Sequence, residues 1–328
     1  MTYDTEYRTD WDTTSFSELS TLASCEEKWY RRYVLREPSE SGPAALKGTL
    51  WHEGTGALLI GGDMEAALAA MHLALDESGA DLEDEKILTA VNDAEWLVAR
   101  YARHYAVQLK QVKVVAHEIQ VSRELHFPSR DGWKSVTIKA YIDTLLDFNG
   151  QLWLREAKSS GRRDVLEMST ISPQISTYWW IMEEVEVPGY PDGLYGVLLD
   201  YAYTYRWKLQ KPTQTMLIEE SGIDFPNKKA AQEWARIAVA NHPGIEAHSD
   251  SESFEQQWLD RTDDQIEQSV LWAQNILARR DTLVQYNPGT DRAPTIRNIG
   301  NACLHCDHKT ACFADMAFPQ DDISLDLS

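Results

Sequence analysis

Hydrophobic and polar positions change rhythm twice along the chain. From Ser17, SELSTLASCEEKWYRRYV repeats its apolar residues at helical spacing, with Leu19, Leu22, Trp29 and Tyr33 on the inner side and Ser17 as N-cap. PSESGP (38–43) breaks the pattern as a loop, and helical spacing returns over 44–60, where Gly48, Gly54 and Gly56 permit close approach of another backbone. Ala, Leu and Glu dominate 63–76 and 83–110, two further helices. At Lys113 the period drops to two. KVVAHEIQVSREL, SVTIKAYIDTLLDF and QLWLREAKS read as three successive strands, the last two joined by an Asn149-Gly150 hairpin turn. A helix from Pro173 to Glu184 follows, with proline in its first turn. GLYGVLLDYAYTYRWK predicts another strand and TMLIEE a shorter one; 227–241 and 252–286 return to helix. This order predicts an α/β core, a mixed sheet flanked by helices. The expected partition is a flexible start (1–14), N-terminal helices (15–60), a helical insert (61–111), a core (112–245), C-terminal helices with a final loop (246–315) and an acidic tail (316–328).

Composition narrows the class. The chain has 328 residues, 43% hydrophobic and 25% charged, as expected of a globular protein with an ample core. Its start, MTYDTEYRTDW, lacks a basic segment followed by an apolar run, and no apolar stretch could cross a bilayer. A cytoplasmic location with no membrane partner is the expectation. The net charge of −21 argues against a nucleic-acid partner unless the bases are gathered. Two gatherings exist: Arg31, Arg32 and Arg36, and Arg155, Lys158, Arg162 and Arg163. The last two could hold phosphates or lie in a solvated loop.

The chain has four cysteines, Cys25 alone and Cys303, Cys306 and Cys312 in a C-x2-C-x5-C group. In a reducing compartment, clustered cysteines bind metal more often than they pair. Four thiolates suit a cubane iron–sulfur cluster or one zinc, although zinc sites usually carry two closely spaced pairs. Either would staple the two ends of the chain.

Asp143 lies late in the second strand, and Glu156 and Lys158 at the end of the third. Residues two apart on a strand share a face, and the hairpin brings Asp143 toward Glu156. Two close carboxylates repel unless a cation lies between them, and their hard oxygens suit Mg2+ or Mn2+. Glu118, on the first strand, could support a second metal or sit at a sheet edge. Trp179 and Trp180 read as core.

The D…ExK set resembles the PD-(D/E)xK nuclease superfamily. His52 in KGTLWHEG matches the upstream metal-ligand histidine of the RecB-type branch, and Gln174 and Tyr178 in SPQISTYWW match its Q-x3-Y motif. The opening helix with Cys25, and the C-x2-C-x5-C ending, resemble the iron–sulfur subgroup of AddB-type nucleases and CRISPR-associated and phage RecB-like exonucleases. The order is kept between the cysteines. The proline that names the family is replaced by Ile142, and no Walker A sequence occurs. The resemblance implies a metal-dependent DNA exonuclease in a bacterial or phage-infected cell, and a cluster-stapled passage would favour threading of single-stranded ends. His52, Asp143, Glu156 and the Ala157 carbonyl would hold Mg2+ or Mn2+. Lys158 would position water, Gln174 and Tyr178 would act beside it, and Cys25, Cys303, Cys306 and Cys312 would hold a 4Fe–4S cluster. Recombination or CRISPR-type protein partners, the oligomeric state and the pathway stay open. The alternatives are a non-catalytic iron–sulfur DNA-binding or adaptor protein on a nuclease fold, and a zinc-stapled mimic of DNA.

Overall fold

The computed structural model describes residues 7–8, 10–37, 42–160, 169–203, 213–241, 253–286, 294–299, 303 and 306–314. Arg162, Arg163 and the acidic tail lie outside the described residues.

Six strands form one sheet: β1 (Thr13–Ser15), β2 (Lys113–Ser129), β3 (Gly132–Phe148), β4 (Gln151–Ser160), β5 (Leu194–Tyr203) and β6 (Phe254–Leu259). The order is β1-β3-β4-β5-β6, with β2 also paired to β3. β2–β3, β3–β4 and β5–β6 are antiparallel; β1–β3 and β4–β5 are parallel. The hairpin joining β3 to β4 turns at Asn149 (φ 57°) and Gly150 (φ 80°), both left-handed, as a two-residue hairpin of this hand requires.

One edge of β3 is taken along its length by β2, so β1 and β4 must share the other. β1 pairs with Thr137–Lys139, and β4 with Thr144–Phe148. The edge between them opens a gap, and Asp143 stands at its β4 end.

Helices cover both faces. On one, α1 (Phe16–Ser24), α6 (Pro173–Met182) and α9 (Asp263–Val284) bury Leu19, Ile175, Ile181 and Leu277 against Ile138, Ile142, Leu154 and Leu199. On the other lie α3 (Pro43–Leu59), α4 (Met64–Ser78) and α5 (Glu85–His104). α5 buries Ala90, Val91, Ala94, Leu97, Val98 and Tyr101, an apolar stripe at helical spacing, and Asp84 caps its first turn. Among the described residues no helix is long and apolar enough to cross a membrane.

Several expectations are corrected. The cap of α1 is Ser15, not Ser17: its side chain accepts the Glu18 N–H at 3.2 Å. The predicted 17–34 helix breaks at Cys25, whose extended backbone (φ −162°) ends α1 before α2 (Glu26–Trp29) and a π-helical turn, Tyr30–Val34. The polar start is not wholly loose, because Thr13–Ser15 form a strand and Arg8 pairs with buried Glu18 at 2.8 Å. TMLIEE is not a strand but most of α7 (Gln214–Ser221), capped by Thr213 and closed by Gly222 in the left-handed region. The predicted 252–286 helix yields its first part to β6, and α9 begins after a Thr262–Gln265 capping box. α8 (Lys228–Asn241) lies where 227–241 predicts it. The last described helix, α10 (Lys309–Ala314), places Cys312 outside a simple loop.

The glycines of α3 admit side chains rather than another backbone. A Cβ at Gly56 would meet the His117 ring at 2.4 Å, and one at Gly54 would meet Val98 and Met71 at 2.7 and 2.8 Å. Gly56→Ala is therefore expected to cost about 1–3 kcal/mol, measured by urea unfolding. An unchanged midpoint would show that His117 yields freely.

The two ends of the described chain clasp each other. Arg279 of α9 makes a forked pair with Glu26 (2.6 and 2.7 Å), and the Ile296 N–H donates to the same carboxylate at 2.7 Å. Thr295 Oγ1 reaches Glu27 at 2.5 Å, and Asn298 Nδ2 reaches the Ser24 carbonyl at 3.0 Å. Partial burial works against the Glu26 charge, but Arg279 and the Ile296 N–H hold its pKa below the ordinary 4.5. A depressed carboxyl stabilises the fold above its unfolded pKa and loses that contribution as pH falls through the folded value. Urea midpoints between about pH 5 and 3 should therefore fall less steeply in Glu26→Gln than in the wild type; equal slopes would refute the clamp.

Candidate active site

At the β4 side of the gap, strand alternation places Glu156 and Lys158 on one face. Lys158 Nζ donates to Glu156 Oε1 at 2.6 Å. α6 approaches the same oxygen. Ser172 caps this helix through the Gln174 N–H, Gln174 Nε2 donates to Glu156 Oε1 at 2.9 Å, and the same nitrogen donates to Tyr178 Oη at 3.0 Å. α9 buttresses α6: Ser269 Oγ meets Thr177 Oγ1 at 2.8 Å and the Pro173 carbonyl at 3.1 Å. Trp179 and Trp180 are half-buried and pack on the core, and Arg123 lies over the Trp180 ring.

From β3, Asp143 Oδ2 accepts the Ala157 N–H at 2.9 Å. From α3, His52 Nδ1 stands 3.5 Å from the same carboxylate oxygen. The structure thus brings together His52, Asp143, Glu156, Ala157, Lys158, Gln174 and Tyr178. Glu118 lies between the His117–Thr144 and Ile119–Ile142 pairs, in register with Asp143, exposed and with a left-handed backbone (φ 48°). Its charge acts on both Asp143 and His52.

Burial is the largest influence on each of His52, Asp143, Glu156 and Lys158. Burial raises the Asp143 pKa, against the Ala157 N–H and Lys158. Burial and then the Asp143 charge raise that of Glu156. Burial opposes the Lys158 charge, but Glu156 holds the ammonium above its usual range. Burial pushes the His52 imidazole down to about 4, so it is neutral at pH 7 and offers a lone pair. Glu156 Oε2 is buried with no hydrogen-bond partner among the described residues. Two hard carboxylates, one oxygen unpartnered, beside a neutral imidazole form a donor set that fits Mg2+ or Mn2+. Among the described residues no three His, Cys, Asp or Glu side chains stand as a finished metal cage. Glu156 is instead turned to Lys158 and Gln174.

The four cysteines are free and half-buried, and all four line one cavity beside the clasped chain ends. Arg31, Arg297 and His308 border it. The thiols are gathered without closing on a common centre. As a donor set they suit an iron–sulfur cluster or zinc.

Two of the gathered bases are internal. Arg31 is buried between Glu27 (2.8 Å) and Glu37 (2.9 Å), and Arg155 pairs with buried Asp200 at 2.8 Å. Neither offers a surface charge to phosphate. Spacing does not announce the Arg155–Asp200 pair, although Asp200 alone among the apolar residues of VLLDYAY is a signal, since buried charges are almost always paired.

No curated protein matches the chain. A solved structure described as "Crystal structure of SSO0001" aligns over 95% of this chain and 90% of its own, at 10% identity and a TM-score of 0.38, a likeness too weak to carry an argument. The family comparison is of another order, because residues 13–313 match the PD-(D/E)XK nuclease superfamily, from β1 through the last cysteine. The chain belongs to the PD-(D/E)XK nuclease superfamily.

Proposed function

We propose that this nuclease is a metal-dependent DNA exonuclease of the RecB-like, iron–sulfur type, acting in the cytoplasm on single-stranded ends during recombination, repair or phage DNA processing. The observation that carries the reading is the convergence of Asp143, Glu156, Lys158 and His52 where β3 and β4 part. His52, Asp143, Glu156 and the Ala157 carbonyl would hold Mg2+ or Mn2+. Such an ion, when bound, offsets charge on the scissile phosphate and makes a bound water more acidic. Lys158 holds and orients the attacking water, and its raised pKa keeps it a cation at neutral pH. Gln174 fixes the Glu156 carboxylate and ties it to Tyr178. Cys25, Cys303, Cys306 and Cys312 would carry a 4Fe–4S cluster, supported by their common cavity and its basic border. With the chain ends held together there, a threaded DNA end suits the site better than an internal duplex segment.

The net charge of −21, with Arg31 and Arg155 internal, favours a rival: a non-catalytic iron–sulfur adaptor on a nuclease fold. Digestion of end-labelled single- and double-stranded oligonucleotides by anaerobically purified protein, with Mg2+, Mn2+ or chelator, decides between them. Metal-dependent shortening from an end supports the exonuclease; no cleavage by cluster-loaded protein supports the adaptor.

A further inference from the structure

Arg155 precedes Glu156 on β4, so strand alternation sends it to the opposite face of the sheet. It is 2% exposed there. Its Nε donates to Asp200 Oδ2 at 2.8 Å. Asp200, on β5, is fully buried and accepts two further bonds from two other elements. Tyr101 Oη of α5 donates to Oδ2 at 2.5 Å, and Gln256 Nε2 of β6 to Oδ1 at 3.2 Å. Gln108 holds Gln256 in turn at 2.8 Å. Arg155 Nη2 is buried and has no hydrogen-bond partner among the described residues.

This guanidinium is not remote from the site: Arg155 is the chain neighbour of Glu156, and across the β3–β4 ladder it pairs with Thr144, the residue after Asp143. A fixed cation behind a donor set that takes a divalent cation weakens binding in two ways. It eases the repulsion of the carboxylates while they are unliganded, and it repels the ion they are to bind. Arg155 and Asp200 are themselves buried, so screening by salt is weak on their side of the sheet. Asp200 limits both effects, because its charge offsets that of Arg155 at bonding distance and three donors hold it in place.

We propose that Asp200 is a positioning residue that, by neutralising Arg155, sets the affinity of the His52–Asp143–Glu156 site for a divalent cation. This rests on the metal-dependent reading above. Charge compensation makes a prediction of sign that a merely structural role does not. Asp200→Asn keeps the shape but bares the Arg155 charge, so metal binding weakens. Arg155→Gln leaves a lone buried anion, so metal binding holds or tightens. Both variants lose thermal stability, since each breaks a buried pair.

The test is calorimetric titration of the full chain with Mn2+ alone, with melting curves alongside. The expected dissociation constant rises at least about tenfold in Asp200→Asn and stays level or falls in Arg155→Gln. The double variant, with both charges removed, returns to within about threefold of wild type. Tyr101→Phe keeps both charges and should leave the Mn2+ constant near wild type. Equal weakening by the two single variants, or no effect of Asp200→Asn, overturns the proposal. If neither single variant folds, the double variant decides, and binding more than about tenfold weaker than wild type overturns the proposal. A wild-type chain that binds no Mn2+ overturns the metal-dependent reading itself, and this inference with it; that outcome is read before any variant is made.

Discussion

Lys158→Ala is expected to slow phosphodiester cleavage by a factor of about 10²–10³, the range for loss of one preorganised hydrogen-bond donor aimed at developing charge. Lys158 is the cation 2.6 Å from Glu156, on the same face of the same strand, and about a third of its side chain faces solvent. The lost ion pair should therefore cost only roughly 1–2 kcal/mol of stability, because its exposed end is partly screened. Asp143→Ala should be at least as damaging to cleavage. Single-turnover digestion of a labelled oligonucleotide with Mn2+, beside a melting curve, separates lost chemistry from lost fold. Cleavage retained by either variant would sink the site assignment.

Cys25→Ser is the second large effect. If four thiolates share one centre, removing Cys25 cuts the tie between α1 and the C-terminal segment. The loop so closed is nearly the whole chain, and a cross-link of that span is worth about 3–5 kcal/mol. The Glu26–Arg279 clamp survives the substitution, so the variant should fold less stably rather than fail outright. Iron content and visible absorbance of anaerobically purified protein should both drop. A brown variant melting with the wild type would rule out the four-thiolate staple, and a colourless wild type containing zinc would replace the cluster.

The parts of this fold legible in the sequence are those whose signals are local. Asn149-Gly150 fixes a hairpin by its own backbone preferences, and with it the nearness of Asp143 to Glu156. α5 carries its stripe and its Asp84 cap within one segment. The misread parts depend on distant partners or on caps. Phe254–Leu259 is a strand because the edge of β5 is free to pair with it, and nothing inside SFEQQWL announces that. Gln214–Ser221 holds apolar residues that suit a strand, yet Thr213 and Gly222 bracket it as a helix. Thr13–Ser15 pairs with residues more than a hundred positions away. The candidate site shows the same division. The D…ExK triplet lies on one hairpin and is visible; the Tyr101–Asp200–Arg155 contact joins three elements and is not. The cysteines announce themselves by spacing, but only the fold shows Cys25 facing the other three across one cavity.

The bond from the Ala157 amide to Asp143 Oδ2 has a consequence for any attempt to move or rebuild this site. Where the β3–β4 ladder stops at Thr144–Arg155, the next rung is supplied by a side chain. One oxygen therefore serves two masters, the geometry of the sheet and the chemistry at its mouth. Sliding β3 by a residue to re-aim the carboxylate would drop that rung, and shortening the side chain would orphan a strand amide. Grafting the donor set onto another hairpin would need more than the right letters at the right spacing. It would need a ladder that ends one pair early.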